Sequence, residues 1–112
     1  MAITTREREG VTILGPQGHL TIGGGDTELR DAIQTTLGFG KTKILIDLGS
    51  AKRVDSSGMA ELVAGLNAVN DRGGSLKLLN LPTNIRNPLE ISQLVTVFDV
   101  FDDESEALAS FG

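Results

Sequence analysis

The 112-residue sequence contains no cysteine, no tryptophan and no tyrosine, and it has a single histidine. Without cysteine the chain cannot form disulfides, use a thiol as a nucleophile or bind zinc through thiolates. No apolar run approaches the roughly 18 residues that a membrane-spanning helix needs, and the charged first residues lack the apolar core of a signal peptide. These absences predict a cytoplasmic protein that does not insert into a membrane.

Basic residues are also scarce, with ten lysines and arginines against fifteen aspartates and glutamates. The deficit lies in the second half, because residues 57–112 carry three basic and eight acidic side chains, whereas residues 1–56 carry seven of each. Nucleic-acid binding needs clustered lysine and arginine to neutralise phosphates. The charge distribution therefore argues against nucleic acid as a partner, and against anionic membrane surfaces for the same reason.

The length and an apolar fraction of 39% fit one domain spanning residues 1–112. The clearest strand is the apolar run at residues 43–48, which predicts a central strand buried on both faces. Gly10 predicts a hairpin turn, and whether residues 20–22 form a strand or end a loop stays open. Further strands are predicted at residues 75–81 and 95–98.

Four segments with apolar residues at helical spacing predict helices. Asp26 is a candidate N-cap for the first, and the second follows residues 54–58 with an apolar stripe on one side. Asn87 followed by Pro88 predicts a short third helix, and Asp103 caps a final one. Strands that alternate with helices after an N-terminal hairpin predict an α/β fold with a mixed sheet.

The stretch VDSSG at residues 54–58 puts two serines and a carboxylate where a loop, predicted at residues 49–53, leads into a helix. Capping of that helix by the aspartate or by either serine is enough to explain the composition. A serine hydrolase needs a base and a group that orients it, yet His19 is the single histidine and neither G-x-S-x-G nor S-x-x-K occurs. A hydrolase is therefore disfavoured, whereas a serine at a helix N-terminus is well placed to carry a phosphate.

Cofactor sites find no support in the remaining motifs. The glycine-rich residues 15–25 do not form a nucleotide-binding loop, because Asp26 and Thr27 follow where a Walker motif has lysine and serine or threonine. The acidic residues between 99 and 106 lack the spacing of a calcium loop and suit a solvated helix start. Neither a metal nor another cofactor is expected.

Residues 43–81, with DSSG between a strand and a helix, resemble the anti-sigma-factor antagonist branch of the STAS domain family. Residues 15–22 and 91–111 extend the likeness over nearly the whole chain. The resemblance implies a mixed sheet of four or five strands, with about four helices packed mainly on one face. It also implies a regulatory protein that exchanges partners and is not an enzyme.

Within that family, the unphosphorylated antagonist binds an anti-sigma factor that is a serine kinase, and the sigma factor is released. The kinase phosphorylates the first serine of the motif, and a PP2C-type phosphatase reverses the reaction. The resemblance therefore implies that Ser56 is the phosphorylated residue, while Asp55, Ser57 and Gly58 shape the turn. Met59, one turn further along, is expected to be partly exposed and to contact the partner.

Two features depart from the family pattern, one at Thr21 and one at the Asn87-Pro88 pair. Thr21 stands where related sequences with G-x-L-D have an acidic residue near the serine, so it is a candidate partner contact that changes recognition by the kinase. Asn87 and Pro88 fall within the third helix and alter the surface beside the second. The alternative function is a STAS scaffold or sensor domain of a signalling or transport assembly that is not phosphorylated.

Overall fold

The computed structural model describes residues 3–112, apart from the side chains of residues 94 and 95. Within that range, none of the helices is long and apolar enough to cross a membrane. The strands are β1 Ile3–Arg8, β2 Val11–Pro16, β3 Gly18–Leu20, β4 Lys43–Asp47, β5 Ala51–Val54, β6 Ser75–Leu79 and β7 Val100–Phe101. The helices are α1 Asp26–Gly38, α2 Ser56–Asp71, α3 Thr83–Ile91 and α4 Glu104–Ala109, and a 3₁₀ turn occupies Leu94–Val97.

Five strands form the main sheet in the order β1-β2-β4-β6-β7. β1 runs antiparallel to β2, and the other neighbouring strands are parallel, joined by crossover connections that carry helices. β4 lies at the centre, where Ile44, Leu45 and Ile46 have no exposed surface. The mixed sheet and its buried central strand are as predicted from the alternating elements and the apolar run.

The N-terminal hairpin turns at Glu9 and Gly10, whose φ angles of 53° and 79° are both positive. Two central residues with positive φ form the turn whose twist matches that of the flanking strands. Glycine adopts such a φ without a steric penalty, which is why Gly10 marked this turn in the sequence. The predicted hairpin is confirmed.

The helices cover the main sheet unequally, since α1, α2 and α3 pack on one face and α4 packs on the other. Side chains alternate between the two faces along a strand. Accordingly Ile44 and Ile46 belong to the core under α1, α2 and α3, whereas Leu45 packs with Ala107 and Leu108 of α4. The prediction that helices lie mainly on one face is confirmed.

Charged side chains attach α4 to the sheet. Glu104, at the start of α4, forms ion pairs with Arg6 and Arg8 of β1. Near the end of the chain, the ammonium group of Lys77 lies 4.9 Å from the centre of the Phe111 ring. These contacts hold the last helix against the first strand and the sheet, on the face opposite α2.

The first helix begins differently from the prediction, because Gly25 and not Asp26 is its N-cap. The carbonyl of Gly25 accepts the N–H of Leu29 at 2.9 Å, so the helical hydrogen bonds start one residue earlier than expected. Asp26 becomes the first residue of α1 and is only 8% exposed. The capping role assigned to Asp26 is therefore wrong.

The third helix also begins earlier, at Thr83, and Pro88 lies inside it and not at its first position. Ile85 and Leu89 are one turn apart and both are buried in the core. Pro88 is exposed on the outer side of the helix. The free energy gained by burying this apolar pair outweighs the usual cost of a proline within a short helix. The local signal of Asn87-Pro88 contains no information about that burial.

The strand predicted at residues 95–98 is wrong, because Leu94–Val97 form the 3₁₀ turn. That turn is preceded by Gln93, which has a left-handed φ of 62°. The edge strand is instead β7, which pairs in parallel with the end of β6. Apolar residues over so short a stretch suit either structure, and pairing with a neighbour decides between them.

A second, two-stranded sheet lies where the sequence predicted a loop at residues 49–53. β5 pairs in parallel with β3, aligning His19 with Arg53 and Leu20 with Val54. β3 ends at Leu20, so residues 21 and 22 lie beyond the strand. This small sheet carries the chain from β4 to the start of α2.

Candidate functional site

Asp55 links β5 to α2 and acts as the N-cap of the helix. Its backbone is extended, and the helix starts at the next residue. One carboxylate oxygen accepts the backbone N–H of Gly58 at 3.0 Å, and the other accepts the N–H of Ile22 at 3.0 Å. Asp55 therefore satisfies a free N–H of the first helical turn and also ties the loop after β3 to the start of α2.

These two hydrogen bonds hold the pKa of the Asp55 carboxyl below its ordinary value. The larger contribution comes from the N–H of Ile22 and the next from that of Gly58, because both donors favour the charged carboxylate. The group is consequently an ionised acceptor at neutral pH. It is not a candidate general acid.

Substitution of Asp55 by asparagine is expected to remove part of the acid sensitivity of folding. Since the folded-state pKa of Asp55 is lowered, its contribution to stability is present above the unfolded pKa of about 4 and is lost as pH falls through the folded value. The wild-type advantage over Asp55→Asn in unfolding free energy should therefore be largest near neutral pH and shrink below about pH 4. Urea unfolding of both proteins at several pH values measures it, and an advantage that stays constant with pH would contradict the expectation.

Gly58 allows α2 to approach β3 closely. A Cβ at this position would lie 2.1 Å from the carbonyl oxygen of Leu20 and 3.0 Å from Cγ1 of Val54. The same carbonyl accepts the N–H of Asp55 at 3.3 Å. Gly58 thus has a packing role in the turn, which composition alone did not distinguish from a conformational one.

The two serines of the motif differ in exposure. Ser56 is the first residue of α2 and is exposed, whereas Ser57 is half-buried. The hydroxyl of Ser56 makes no hydrogen bond to any residue that the structure describes. Ser56 therefore presents an unengaged hydroxyl to solvent at a helix N-terminus, while the capping function falls to Asp55.

An open groove of about 480 Å³ runs along α2 from Ser56. Met59 is half-buried and lines it, so the partial exposure expected for this residue is observed. The groove walls are otherwise mostly small and apolar, because alanines occupy positions that larger side chains would fill. Its lining residues are Ser56, Met59, Ala60, Val63, Ala64 and Asn67.

Thr21 and Ile22 border the site on the side of β3. Thr21 is half-buried, and its carbonyl accepts the N–H of Gly24 at 2.8 Å. Ile22 follows it, donates its N–H to Asp55 and is 76% exposed. Ile22, Ala60 and Ala64 also belong to this site, although the sequence did not predict them as site residues. The available signal for the groove was the spacing of the small residues Ser56, Ala60 and Ala64 at intervals of four.

The arrangement lacks the parts of a serine hydrolase among the residues that the structure describes. His19, on β3, forms no hydrogen bond with Ser56 or Ser57. Residues 3–112 likewise contain no group of histidine, aspartate and glutamate side chains able to hold a metal ion. What this site offers chemically is an accessible hydroxyl that another protein can modify, beside an apolar surface that another protein can cover.

Comparison with known proteins matches residues 2–107 to the family model of the STAS domain. A candidate anti-sigma factor antagonist from Thermotoga maritima has a similar structure, with a TM-score of 0.90, 22% identity and coverage of 97% of this chain and 93% of that one. The Bacillus cell fate determinant SpoIIAA in its phosphorylated form gives a TM-score of 0.75 at 21% identity, covering 97% and 98%. A sulfate transporter family protein from Wolinella succinogenes gives 0.73 at 20% identity, covering 92% and 85%.

At these identities the solved structures establish a common fold, whereas the family model covers nearly the whole chain. The fold that they share with this chain is an α/β domain, which here has four helices and a mixed five-stranded main sheet among the described residues. The chain belongs to the STAS domain family.

Proposed function

We propose that this protein is an anti-sigma-factor antagonist controlled by phosphorylation of Ser56. The unphosphorylated form binds an anti-sigma factor that is also a serine kinase, and the sigma factor is freed. Phosphorylation of Ser56 by that kinase ends the binding, and a PP2C-type phosphatase restores it. The protein acts in the cytoplasm, without inserting into a membrane or binding nucleic acid.

The observation that carries the proposal is the exposed, unengaged hydroxyl of Ser56 at the first residue of α2. A kinase must reach the acceptor oxygen directly, so exposure is a requirement. A phosphate at this position faces the free N–H groups and the positive end of the helix dipole. The Asp55 carboxylate already caps the helix, so the serine hydroxyl can be modified without loss of the cap.

The groove along α2 is the proposed docking surface for the anti-sigma factor. It begins at Ser56 and continues past Met59 and Val63, so a partner seated in it lies against the acceptor hydroxyl. Ile22 adds an exposed apolar side chain at the same end, and Thr21 lies beside it. Burial of such apolar surface supplies the attraction, and the phosphate opposes it.

Support for this role also comes from the similar structures. One belongs to a candidate anti-sigma factor antagonist, and another is SpoIIAA in a phosphorylated form, which is an instance of this fold carrying a phosphate. The proposal transfers that behaviour to Ser56 of this chain. In this chain the D-S-S-G motif stands between a strand and a helix.

Phosphate incorporation tests the proposal. The wild-type protein, incubated with its anti-sigma factor and ATP, is expected to gain one phosphate, and Ser56→Ala should gain none. Ser57→Ala is the matched control, since it removes the neighbouring hydroxyl and should leave incorporation unchanged. Intact-protein mass spectrometry measures the added mass. Phosphorylation of the Ser56→Ala protein at Ser57 would show that Ser57 is the acceptor. Absence of phosphate on the wild-type protein would argue against the proposed function.

The second candidate function is a STAS scaffold or sensor domain that is not phosphorylated. Two observations favour it: Thr21 replaces an acidic residue of the antagonist pattern, and a sulfate transporter family protein shares the fold. Affinity capture with the wild-type protein separates the candidates. An antagonist retrieves a kinase-like anti-sigma factor, and retrieval is lost after phosphorylation, whereas a scaffold retrieves assembly components independently of Ser56.

A further inference from the structure

Two basic side chains on β5, a few residues before Ser56 in the sequence, form no ion pair among the residues that the structure describes. Lys52 and Arg53 are exposed on β5, and among the described residues neither side chain forms an ion pair or a hydrogen bond. This contrasts with most other basic residues of the protein. Those paired with a carboxylate within 4.0 Å are Arg6, Arg8, Arg30, Lys41, Lys77 and Arg86.

Arg53 lies on the same side of β5 as Asp55, the first residue after the strand. Alternate residues of an extended chain share a side, and the backbone remains extended through Asp55, so Arg53 and Asp55 face the same way. Arg53 also lowers the pKa of Asp55, after the larger effects of the Ile22 and Gly58 N–H groups, so its charge acts at the start of the helix. His19, aligned with Arg53 on β3, borders the same surface.

We propose that Arg53 recognises the phosphoryl group on Ser56, binding its oxygens through the guanidinium. The proposal rests on the proposed function, because it requires Ser56 to carry a phosphate. Three residues of chain span at most about 10 Å, which the side chains of arginine and phosphoserine together can bridge. A planar guanidinium matches two phosphate oxygens at once, and that geometry favours Arg53 over the neighbouring Lys52.

Binding of the phosphate by Arg53 would offset the repulsion between the phosphate and the Asp55 carboxylate. A phosphate on Ser56 adds about −1.5 to −2 charges next to the ionised Asp55, and the two repel each other. Asp55 cannot turn away without losing its bonds to Ile22 and Gly58. Arg53, which has no other partner among the described residues, is free to neutralise the added charge. The start of α2 can then stay intact in the phosphorylated form.

Phosphorus-31 NMR titration tests the contact without the kinase. Phosphoserine is incorporated genetically at position 56, and the second pKa of the phosphate, about 6 for a free phosphoserine, is measured. Arg53→Gln is expected to raise that pKa by about half a pH unit, because the positive charge favours the dianion. All variants carry His19→Gln, which removes the imidazole aligned with Arg53 from the surface around the phosphate.

Lys43→Gln is the matched control, since it removes an exposed positive charge from the far end of β4 and should leave the phosphate pKa unchanged. Arg53→Lys retains the charge and should keep most of the shift, which a purely structural role would not predict. Equal pKa values in Arg53→Gln and the control would overturn the proposal. So would an unchanged phosphate pKa combined with weaker binding of the unphosphorylated protein, since Arg53 would then contact an acidic partner surface.

Failure of this proposal differs from failure of the proposed function. If the kinase modifies Ser56 but Arg53→Gln leaves the titration unaltered, the function stands and the role of Arg53 is wrong. If no kinase modifies Ser56, the function fails, whatever the titration of the synthetic phosphoprotein gives.

Discussion

Phosphorylated at Ser56, the protein is expected to bind its anti-sigma factor about a hundredfold more weakly than the unmodified form. The phosphate adds up to two negative charges at the end of the apolar groove. A partner bound in the groove would have to remove the water that hydrates the phosphate, which costs free energy, or bind farther from the groove. A loss of about 3 kcal/mol in binding free energy is enough for that change. Calorimetric titration of the anti-sigma factor with each form measures it directly.

Substitutions at the same position separate charge from the loss of the hydroxyl. Ser56→Asp introduces a single charge and less bulk, so we expect a weakening of about tenfold. Ser56→Ala should bind as the wild type does. Ser105→Asp is a matched control, because Ser105 is exposed in the first turn of α4, on the other face of the sheet. Equal affinities of Ser56→Asp and wild type, together with unchanged binding after phosphorylation, would refute the switch.

Gly58→Ala is expected to cause the largest loss of stability of any single methyl addition in the motif. The new Cβ would be placed 2.1 Å from the carbonyl oxygen of Leu20, and a backbone atom cannot rotate away as a side chain can. Either α2 or β3 has to move. Such overpacking costs about 2–3 kcal/mol, which lowers the melting temperature by roughly 10 °C or more in a domain of this size.

Gly38→Ala is the control for this effect. Gly38 is the last residue of α1, and a Cβ there meets no heavy atom within 4 Å. Alanine is a better helix former than glycine, so this variant should be equally stable or slightly more stable, by about 0.5 kcal/mol. Thermal and urea unfolding compare the two variants. Equal stability of Gly58→Ala and wild type would mean that α2 does not pack as closely against β3 as described.

The displacement caused by Gly58→Ala also has a functional consequence. Gly58 lies two residues after Ser56, and the Asp55 cap depends on the N–H of the same glycine. Movement of this turn shifts the acceptor hydroxyl relative to the groove. Ser57→Ala, by contrast, removes an atom from the same turn without forcing the backbone apart, so differences in phosphorylation between the two variants report on the position of the turn.

Local signals predicted the outline of the fold and the centre of the site. The apolar run at residues 43–48 identified the central strand because a strand buried on both faces has no polar positions to interrupt it. The motif at residues 54–58 predicted a helix start capped by the aspartate or one of the serines, because capping chemistry depends on a few consecutive residues. The choice of Ser56 between the two serines came from the family resemblance. Both kinds of signal are carried by neighbouring positions in the chain.

Errors arose where distant residues decide the conformation. α3 starts at Thr83 because Ile85 and Leu89 are buried together, although Asn87-Pro88 is the stronger local start signal. The sequence predicts a loop at β5 because four residues have too little pattern to indicate a strand, whereas their pairing with β3 makes them one. The sequence did not predict Ile22 as a site residue because its hydrogen bond to Asp55 joins positions 33 residues apart, and no local pattern indicates such a contact.

The sequence by itself determined the class of fold, the order of most elements and the serine at the helix start, since periodicity and capping are properties of short segments. Only the tertiary structure decided the close approach of Leu20 to Gly58, the hydrogen bond between Ile22 and Asp55 and the groove along α2. It also decided that Arg53 forms no ion pair among the described residues. Each of these depends on which surfaces meet when the chain folds, and residues far apart in sequence share no local signal of that meeting.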